Sequence, residues 1–502
     1  IAIPLVYMII RTLGVGEELW LLIVRPRTLD ILGNTVALVI AVSLGSVSIA
    51  VPIAWLTSRT DLPLRSFWSV ITALPLVIPS YVGSYLIIVA IGPKGVLQGW
   101  LSPLGIESIP DIFGFPGAFL TLTLLTYPYV LIPVRASMES LDYALEESSY
   151  SLGKGKVTTF LKVTLPLLRP AIGGGALLVA LYTLSDFGAV SLLRFETFTW
   201  AIYVQYGSFA RELAAGLSFL LIILAFLILV FESRTRGKGR YYRSSAGIST
   251  SPRLMTLGKW RWPALGLCAT VAIFSVLIPG SVLVYWVIRG LFAGEVIGIL
   301  WSNLSNSLLL SGLAAIATVI GSIPISILVV RHAGFIASLL ERLSYIGFAL
   351  PGIVVALALV FFGVNYFSPI YQTSIMLVFA YVILFLPNAI ESTKSSLLQV
   401  NPALEEVARS LGKSYLTIIK TILLPLVRPG IIAGGALVFL LTMKELPATL
   451  ILSPIGFKTL ATSIWWYTED GFFARSAVPS LMLILVSSVP LALVMKGMKG
   501  RF

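Results

Sequence analysis

Eleven uninterrupted apolar stretches constrain the fold of this 502-residue chain more than any other feature. Each is near the ~20 residues that a helix needs to cross a bilayer. They lie at about 36–58, 68–92, 117–134, 171–193, 213–231, 263–288, 307–330, 344–363, 373–392, 430–452 and 476–495. They lack the alternation of a barrel strand, so helices satisfy their backbone better. Because only 11% of the residues are charged, against about 25% in soluble domains, the sequence predicts an all-α membrane protein.

The first residues of the chain are typical of the end of another span. The stretch "IAIPLVYMII" leads into Arg11, and the comparable stretch of the second half, "VLIPGSVLVYWVIRG", ends a full-length span. We therefore expect a twelfth span, of which only the last part is present, with N-terminal residues missing. The expected total is about 12 transmembrane helices.

The basic residues indicate how the chain is oriented in the membrane. If the loops alternate between the two sides, the segments expected in the cytoplasm hold 25 of the 35 Lys and Arg residues. Cytoplasmic loops carry such an excess, so the sequence predicts a multi-pass protein with both termini in the cytoplasm. The orientation in the membrane thus accounts for the net charge of +13. We expect contact with membrane lipid but no nucleic-acid partner.

The two halves of the chain repeat each other. A shift of 259 positions lays "ALEESSYSLGKG" at 144–155 on "ALEEVARSLGKS" at 403–414 without a gap. Self-similarity of this kind defines fold units, and each half runs through six predicted spans, so the repeats are parallel. We expect a first transmembrane domain at 1–231, a basic cytoplasmic linker at 232–262 and a second transmembrane domain at 263–502.

A long polar segment between the fourth and fifth predicted spans of each half is expected to form an elbow. In the second half, Asn401 is a natural N-cap and Pro402 suits the first helical position. Gly412 permits the left-handed turn that ends a helix. Ser414 then caps a second helix, which Pro425 is expected to end. The same corners recur in the first half.

One part of this segment superficially resembles a nucleotide-binding loop. Gly412-Lys413-Ser414 matches the end of a phosphate-binding loop, but Val407 stands where that loop needs its first glycine. We found no other candidate, so any linked ATP hydrolysis is expected in a different polypeptide. The sequence predicts that this chain is not an enzyme and binds no cofactor itself.

The elbow segments resemble the EAA-x3-G-x9-I-x-LP motif of ABC importer permeases. The matching positions in the two halves are Glu147, Gly153, Pro166, Glu406, Gly412 and Pro425. Ser148, Ser149 and Val407 stand where the motif prefers alanine. The resemblance implies that each elbow is a coupling helix, which docks on an ATPase subunit and transmits its closure to the membrane domain.

Further segments, among them "SDFGAVSLL" at 185–193 and "ELPATLIL" at 445–452, resemble the fused, double-length permeases of the iron(III) uptake type. That family implies two tandem type I ABC importer permease repeats in the bacterial inner membrane. It also implies two copies of a separate ABC ATPase, which hold ATP and Mg, and a periplasmic iron-binding protein that delivers ferric iron. Thiamine or another small solute is an alternative substrate. A secondary transporter driven by an ion gradient is the rival class.

Three charged residues lie within apolar spans. Asp186 and Glu445 coincide under the 259-residue shift, and Lys444 adjoins Glu445. Charges cost about 2.5–3.5 kcal/mol at mid-bilayer, so we expect them to face the protein interior. One interpretation is a translocation path or gate for a cation, and the alternative is an ion pair between Lys444 and either acid. Cys268 and His332 are each the sole residue of their type, so no metal site is predicted.

Overall fold

A computed structural model describes residues 24–235 and 254–499, apart from residues 94, 96–97, 100–101, 105–109, 142–143, 296–299 and 333. In the N-terminal segment it describes Pro4, Val6, Tyr7 and Ile10. Most of the expected partial span at the N-terminus, and residues 236–253 of the expected linker, therefore lie outside the described residues.

The described residues are helical throughout their regular structure, with one isolated β-bridge between Thr60 and Met255. Nine of the described helical stretches are long and apolar enough to cross a membrane, or ten if a bent pair counts as one span. The all-α membrane fold is confirmed, whereas the total of about 12 spans stays a prediction.

The helices of the first half are Pro26–Arg59, Arg65–Ile71, Ser80–Ile91, Phe115–Thr126, Pro128–Ser140, Ala144–Ser151, Lys156–Thr159, Leu165–Ser185, Gly188–Leu192, Phe198–Gly207 and Arg211–Thr235. The helices of the second half are Arg261–Ala272, Ile278–Phe292, Trp301–Arg331, Phe335–Ala349, Gly352–Asn365, Ser374–Leu397, Ala403–Ser410, Tyr415–Ile418, Leu424–Met443, Pro447–Leu452, Leu460–Glu469 and Phe473–Lys499.

Two of the expected continuous spans, 68–92 and 344–363, are broken at a proline. In the first, Arg65–Val77 and Ser80–Ile91 meet at a bend of 101°. Ile78 and Leu350, which precede the two prolines, both have a ψ of 119°. A proline ring excludes the preceding residue from the helical region and supplies no N–H. The helix therefore stops, and a new one begins directly after Pro79 and Pro351.

Two further expected spans, 171–193 and 430–452, are broken at their acidic residues. Leu165–Ser185 ends before Asp186, and a short helix follows at Gly188–Leu192. Leu424–Met443 ends at Lys444, and Pro447–Leu452 follows Glu445. Apolar composition alone did not reveal these breaks, because hydropathy measures the solvent preference of side chains and not backbone continuity.

The described residues form two compact units. The first-repeat unit contains residues 26–200 and 223–284, and the second-repeat unit contains 201–222 and 285–502 with the described N-terminal residues. The start of the second half therefore packs with the first-repeat unit. The domain boundaries at 231 and 263 are defined by the sequence repeat and not by compact packing, so they stay a prediction.

Small residues let the helices of the first-repeat unit approach closely. Leu38 and Val42 of Pro26–Arg59 belong to one buried cluster with Val130 of Pro128–Ser140. A Cβ built on Gly175 would lie 2.7 Å from the Cα of Val130, which is closer than real Cβ atoms come. Glycine is therefore required at this crossing, as at many helix contacts in membranes.

A row of hydroxyl groups follows the buried face of Trp301–Arg331 in the second-repeat unit. Its buried members are Ser307, Ser311, Thr318, Ser322 and Ser326. Their spacing of three to four residues, or multiples of it, places them on one helix face. The Ser326 hydroxyl donates to the Ile390 carbonyl over 3.3 Å, and the Ser322 and Thr393 hydroxyls lie 3.5 Å apart. Such contacts hold helices together where lipid offers no partner.

We predict opposite effects for alanine at two glycines of the helix Leu165–Ser185. Gly175→Ala should lower the melting temperature in detergent, because overpacking against a neighbouring backbone costs about 1–3 kcal/mol. Gly173→Ala is the matched control, since a Cβ there meets nothing within 4 Å and alanine is the better helix former. Equal melting temperatures for the two variants would contradict the close crossing.

Candidate functional site: two elbows and two acidic helix breaks

The two predicted elbows have the same secondary structure. We define the first elbow as residues 144–164 and the second as residues 403–423. The first contains Ala144–Ser151, Lys156–Thr159 and the π-helical turn Phe160–Thr164. Adding 259 to these bounds gives those of the second, which are Ala403–Ser410, Tyr415–Ile418 and Ile419–Leu423. The sequence repeat is therefore also a repeat of local structure.

The glycine at each corner has the left-handed conformation that the sequence predicts. Gly153 has a φ of 73° and Gly412 a φ of 77°. In the second elbow, the N–H of Gly412 donates to the Arg409 carbonyl over 2.9 Å, and that of Lys413 to the Ala408 carbonyl over 3.1 Å. These two bonds form a Schellman motif, which satisfies the last carbonyls of the helix. The corner is thus a defined turn and not a flexible joint.

Of the two predicted N-caps, Ser414 is confirmed, whereas the N-cap of Ala403–Ser410 is Pro402 and not Asn401. The Ser414 hydroxyl accepts from the Thr417 N–H over 3.3 Å. The Asn401 side chain accepts from the Ala403 N–H over 3.0 Å, although the helix begins at Ala403 and not at Pro402.

The prediction that Pro425 ends the second helix is wrong, and the same holds for Pro166. Both prolines lie in the first turn of a long α-helix, Leu424–Met443 or Leu165–Ser185. The preceding turn is π-helical, so the α-helical bonding pattern starts anew there. A proline in a first turn removes no intrahelical hydrogen bond. Each elbow therefore continues without interruption into a membrane-spanning helix.

Each elbow presents exposed apolar side chains together with an exposed glutamate. Glu147 and Glu406 are exposed. The exposed large apolar residues are Leu145, Leu152, Val157 and Leu161 in the first elbow and Leu404, Val407, Leu411, Tyr415 and Leu416 in the second. A cluster of exposed apolar residues rimmed by charge is typical of a protein interaction surface.

The adjacent glutamates, Glu146 and Glu405, are buried and were missed by the sequence reasoning. Glu405 lies 2.7 Å from the Nε of Arg331. Glu146 accepts a hydrogen bond from the Thr164 hydroxyl over 3.0 Å. The available signal is an arginine at the end of a long helix in each repeat, Arg59 of Pro26–Arg59 and Arg331 of Trp301–Arg331. On sequence alone, these arginines indicate only topology.

Asp186 connects two helix N-termini in the first-repeat unit. Its Oδ1 accepts from the Ala189 N–H over 2.8 Å, at the start of Gly188–Leu192. It also has a hydrogen bond with the Ser80 hydroxyl, at the start of Ser80–Ile91. Helix N-termini carry unsatisfied N–H groups and a partial positive charge. The carboxylate is therefore stabilised by the chain breaks on both sides of it.

Glu445 has the equivalent position in the second-repeat unit. Its carboxylate accepts from the N–H groups of Ala448 and Thr449, each over 3.0 Å. The Thr449 hydroxyl donates to it over 2.8 Å. A Cβ on Gly352, the first residue of Gly352–Asn365, would lie 2.5 Å from Glu445 Oε1. This carboxylate also lies where two helices begin.

A small cavity adjoins Glu445 within the second-repeat unit. Its polar lining comprises Ser307, Ser311, Tyr381, Thr442, Glu445, Thr449 and Thr459. Lys444 is half-buried at the end of Leu424–Met443. The role of Asp186, Lys444 and Glu445 in a path or gate stays a prediction.

Metal-ligating residues do not converge in the part of the chain that the structure describes. No group of three or more His, Cys, Asp or Glu residues there could hold a metal ion. Cys268 is buried and reduced.

These features define a multi-pass helical membrane protein made of two matching repeats, each with an elbow and an acidic helix break. The chain belongs to the family described as binding-protein-dependent transport system inner membrane component, which it matches at residues 46–235 and 321–498. It is therefore a permease component of a transport system, and its relatives are transport subunits.

Two relatives that match 95% or more of this chain are iron(III) transport permeases by name. The chain is 37% identical to the Fe(3+)-transport system permease protein FbpB 2 of Haemophilus influenzae, over 99% of this chain and 96% of that protein. It is 24% identical to the ferric transport system permease protein FbpB of Actinobacillus pleuropneumoniae, over 95% of this chain and 71% of that protein. The molybdenum transport system permease protein ModB of Haemophilus influenzae is 32% identical over 41% of this chain. The fused, double-length iron(III) permease type is thereby confirmed.

We predict that two kinds of substitution at Asp186 and Glu445 distinguish a structural role from a role in transport. Glu445→Ala removes a cap shared by two N–H groups, so it should cost about 1–2 kcal/mol and lower the melting temperature. Glu445→Gln with Asp186→Asn keeps one acceptor oxygen at each break and should leave the melting temperature closer to wild type. Uptake is measured on the same variants. If the double variant is well folded but takes up its substrate slowly, the two acids have a role in the translocation path. If uptake falls only in proportion to the loss of folded protein, both acids serve helix packing.

Proposed function

We propose that this chain is the membrane-spanning permease subunit of an ATP-driven importer that translocates ferric iron. The observation that carries this proposal is the 37% identity to a ferric iron permease over nearly the whole of both chains. The match to a molybdenum permease covers less than half of this chain, so it reflects what single permease repeats share. Resemblance across both repeats favours the iron system.

We propose that the two elbows dock on two copies of a separate ABC ATPase. The exposed apolar residues of each elbow suit a groove in such a partner, and the exposed Glu147 and Glu406 lie among them. The Schellman turn and the continuous helix that follows make each elbow a stiff lever. ATP and Mg would be held by the partner, which performs the hydrolysis.

The same proposal fixes the orientation. The elbows and both termini lie on the cytoplasmic side of the bacterial inner membrane, where the excess of basic residues is expected. A periplasmic iron-binding protein then delivers its cargo to the opposite side. Asp186, Lys444 and Glu445 border the path taken by the cation between the two sides.

Reconstitution in liposomes tests the proposed function. The chain is reconstituted together with its ATPase and with candidate binding proteins. Uptake of radioactive ferric iron into the liposomes is then measured with ATP supplied either inside or outside the vesicles. We expect ATP-dependent iron uptake that requires the binding protein. Uptake of thiamine and not of iron under the same conditions would show that thiamine is the substrate. Uptake driven by a proton gradient without any ATPase would support a secondary transporter and overturn the proposal.

We predict that valine at the two corner glycines disrupts docking of the elbows on the ATPase. A left-handed conformation costs a non-glycine residue about 1–2 kcal/mol, and more for a β-branched one. Gly153→Val with Gly412→Val should therefore displace both docking helices and lower uptake and stimulated ATPase activity together.

The matched control for this prediction is Gly155→Ser. Gly155 has an ordinary φ of −70°, and serine is the residue that the second repeat has at the equivalent position, Ser414. This variant should retain uptake and ATPase activity. Full coupling in the double valine variant would contradict the role of the elbows.

A further inference from the structure

One guanidinium group holds three segments of the second-repeat unit together. Arg331 is the last residue of Trp301–Arg331, and its Nε lies 2.7 Å from the Glu405 carboxylate in the second elbow. Its Nη2 donates to the Val400 carbonyl over 2.9 Å and to the Leu397 carbonyl over 3.4 Å. Both carbonyls lie at the end of Ser374–Leu397. The arginine therefore connects two long helices to the elbow.

The ion pair is shielded from water. The Arg331 side chain is 12% exposed and that of Glu405 is 6% exposed. Exposed ion pairs contribute little because water and salt screen them. A buried pair depends on both partners, since removing one strands a charge that water cannot reach. The planar fork of arginine suits simultaneous contacts to a carboxylate and to carbonyl groups.

The equivalent arginine of the first repeat has the same contacts to the backbone. The Nη2 of Arg59 donates to the carbonyl of Met138 over 2.6 Å and to that of Leu141 over 3.3 Å. These two residues shift by 259 onto Leu397 and Val400. The contact of the arginine with the end of the neighbouring helix is thus common to both repeats.

The elbows themselves are held in different ways. In the first, Glu146 accepts from the Thr164 hydroxyl, and the hydroxyls of Ser149 and Thr159 lie 2.9 Å apart. The residues at these three positions of the second elbow are Ala408, Ile418 and Leu423, which are buried and have no hydroxyl group. The ion pair of Glu405 with Arg331 replaces the hydrogen bonds that these residues cannot form.

The described part of the expected linker contacts both the helix Pro26–Arg59 and the first elbow. The Met255 N–H donates to the carbonyl of Arg59 over 2.9 Å. The Lys156 ammonium donates to the Thr256 carbonyl over 3.2 Å. In the described residues, the first elbow is thus held by hydrogen bonds to hydroxyl and carbonyl groups, whereas a buried ion pair fixes the second.

We propose that Arg331 is a positioning residue that transmits movement of the second elbow to the helix Trp301–Arg331 through its ion pair with Glu405. The inference rests on the proposed function, because it assigns to this contact a step in ATPase coupling. The two elbows are then unequal, and the second depends on a single charged contact. In the described residues of the first elbow, hydrogen bonds that involve the hydroxyl groups of Ser149, Thr159 and Thr164 occupy the corresponding positions.

The test uses Glu405→Gln and Arg331→Lys in the full-length permease. Hydrogen exchange of the amides at 403–418 is measured first, because this readout needs neither substrate nor ATPase. Glu405→Gln should speed exchange there by at least about tenfold, since it strands the buried guanidinium. Arg331→Lys keeps the charge but loses the fork, so its effect should be smaller.

The second readout is the amount of iron transported per ATP hydrolysed by the reconstituted complex. Glu405→Gln should lower this ratio by about fivefold or more, a typical size for coupling between sites, while ATP is still hydrolysed. A purely structural contact would lower transport and hydrolysis in equal proportion.

Two comparison variants separate this effect from the general loss of a charge. Glu341→Gln removes another partly buried ion pair of the same unit, in which Glu341 lies 2.5 Å from Lys394 outside the elbow. It should change exchange at 403–418 by less than about twofold, as expected for an independent site. Glu146→Gln keeps an acceptor for Thr164 in the first elbow and should alter exchange at 144–159 less than Glu405→Gln does at 403–418.

The outcomes distinguish this inference from the proposed function. Unchanged exchange in Glu405→Gln overturns the ion pair as an elbow contact, whatever the complex transports. Faster exchange with an unchanged transport ratio overturns its role in coupling. If the wild-type complex carries no iron under ATP, the proposed function fails, and coupling by Arg331 fails with it even where the exchange result stands.

Discussion

The structure depends on one constraint, which is that backbone N–H and C=O groups within a bilayer must be satisfied by the protein itself. Long helices meet this constraint directly. Wherever a helix begins inside the apolar region, its first N–H groups need another acceptor. Asp186 and Glu445 supply it at equivalent positions of the two repeats. The costly acidic side chains and the broken helices are therefore parts of the same arrangement.

Sequence reasoning predicted the features that depend on local chemistry. Apolar length gave the all-α membrane fold, and the 259-residue shift gave two elbows whose helix bounds agree residue by residue. The positive φ of Gly153 and Gly412 also followed from sequence, because few other residues tolerate it. Apart from the repeat, which compares the two halves, these signals are local in the sequence.

The features that escaped prediction depend on contacts between distant segments or on backbone bonding. The ion pair of Arg331 with Glu405 joins residues 74 positions apart. The sequence around either residue does not predict its partner. The sequence predicts that Pro425 ends a helix, because proline normally breaks a helix interior. This prediction is wrong because a π-helical turn precedes Pro425, and such a turn has no clear sequence signature. The interruption at Asp186 was hidden by an apolar composition that continues on both sides of it.

The elbow and the acidic break are the two ends of one helical rod in each repeat. Lys156–Ser185 has 30 residues and Tyr415–Met443 has 29, so each rod is about 45 Å long at 1.5 Å per residue. A Schellman turn fixes the rod at the elbow, and at the other end the chain stops beside Asp186 or Glu445. Packed helices move as units rather than bending continuously. A displacement imposed at an elbow would therefore be carried along the rod to the chain break beside Asp186 or Glu445 of the same repeat.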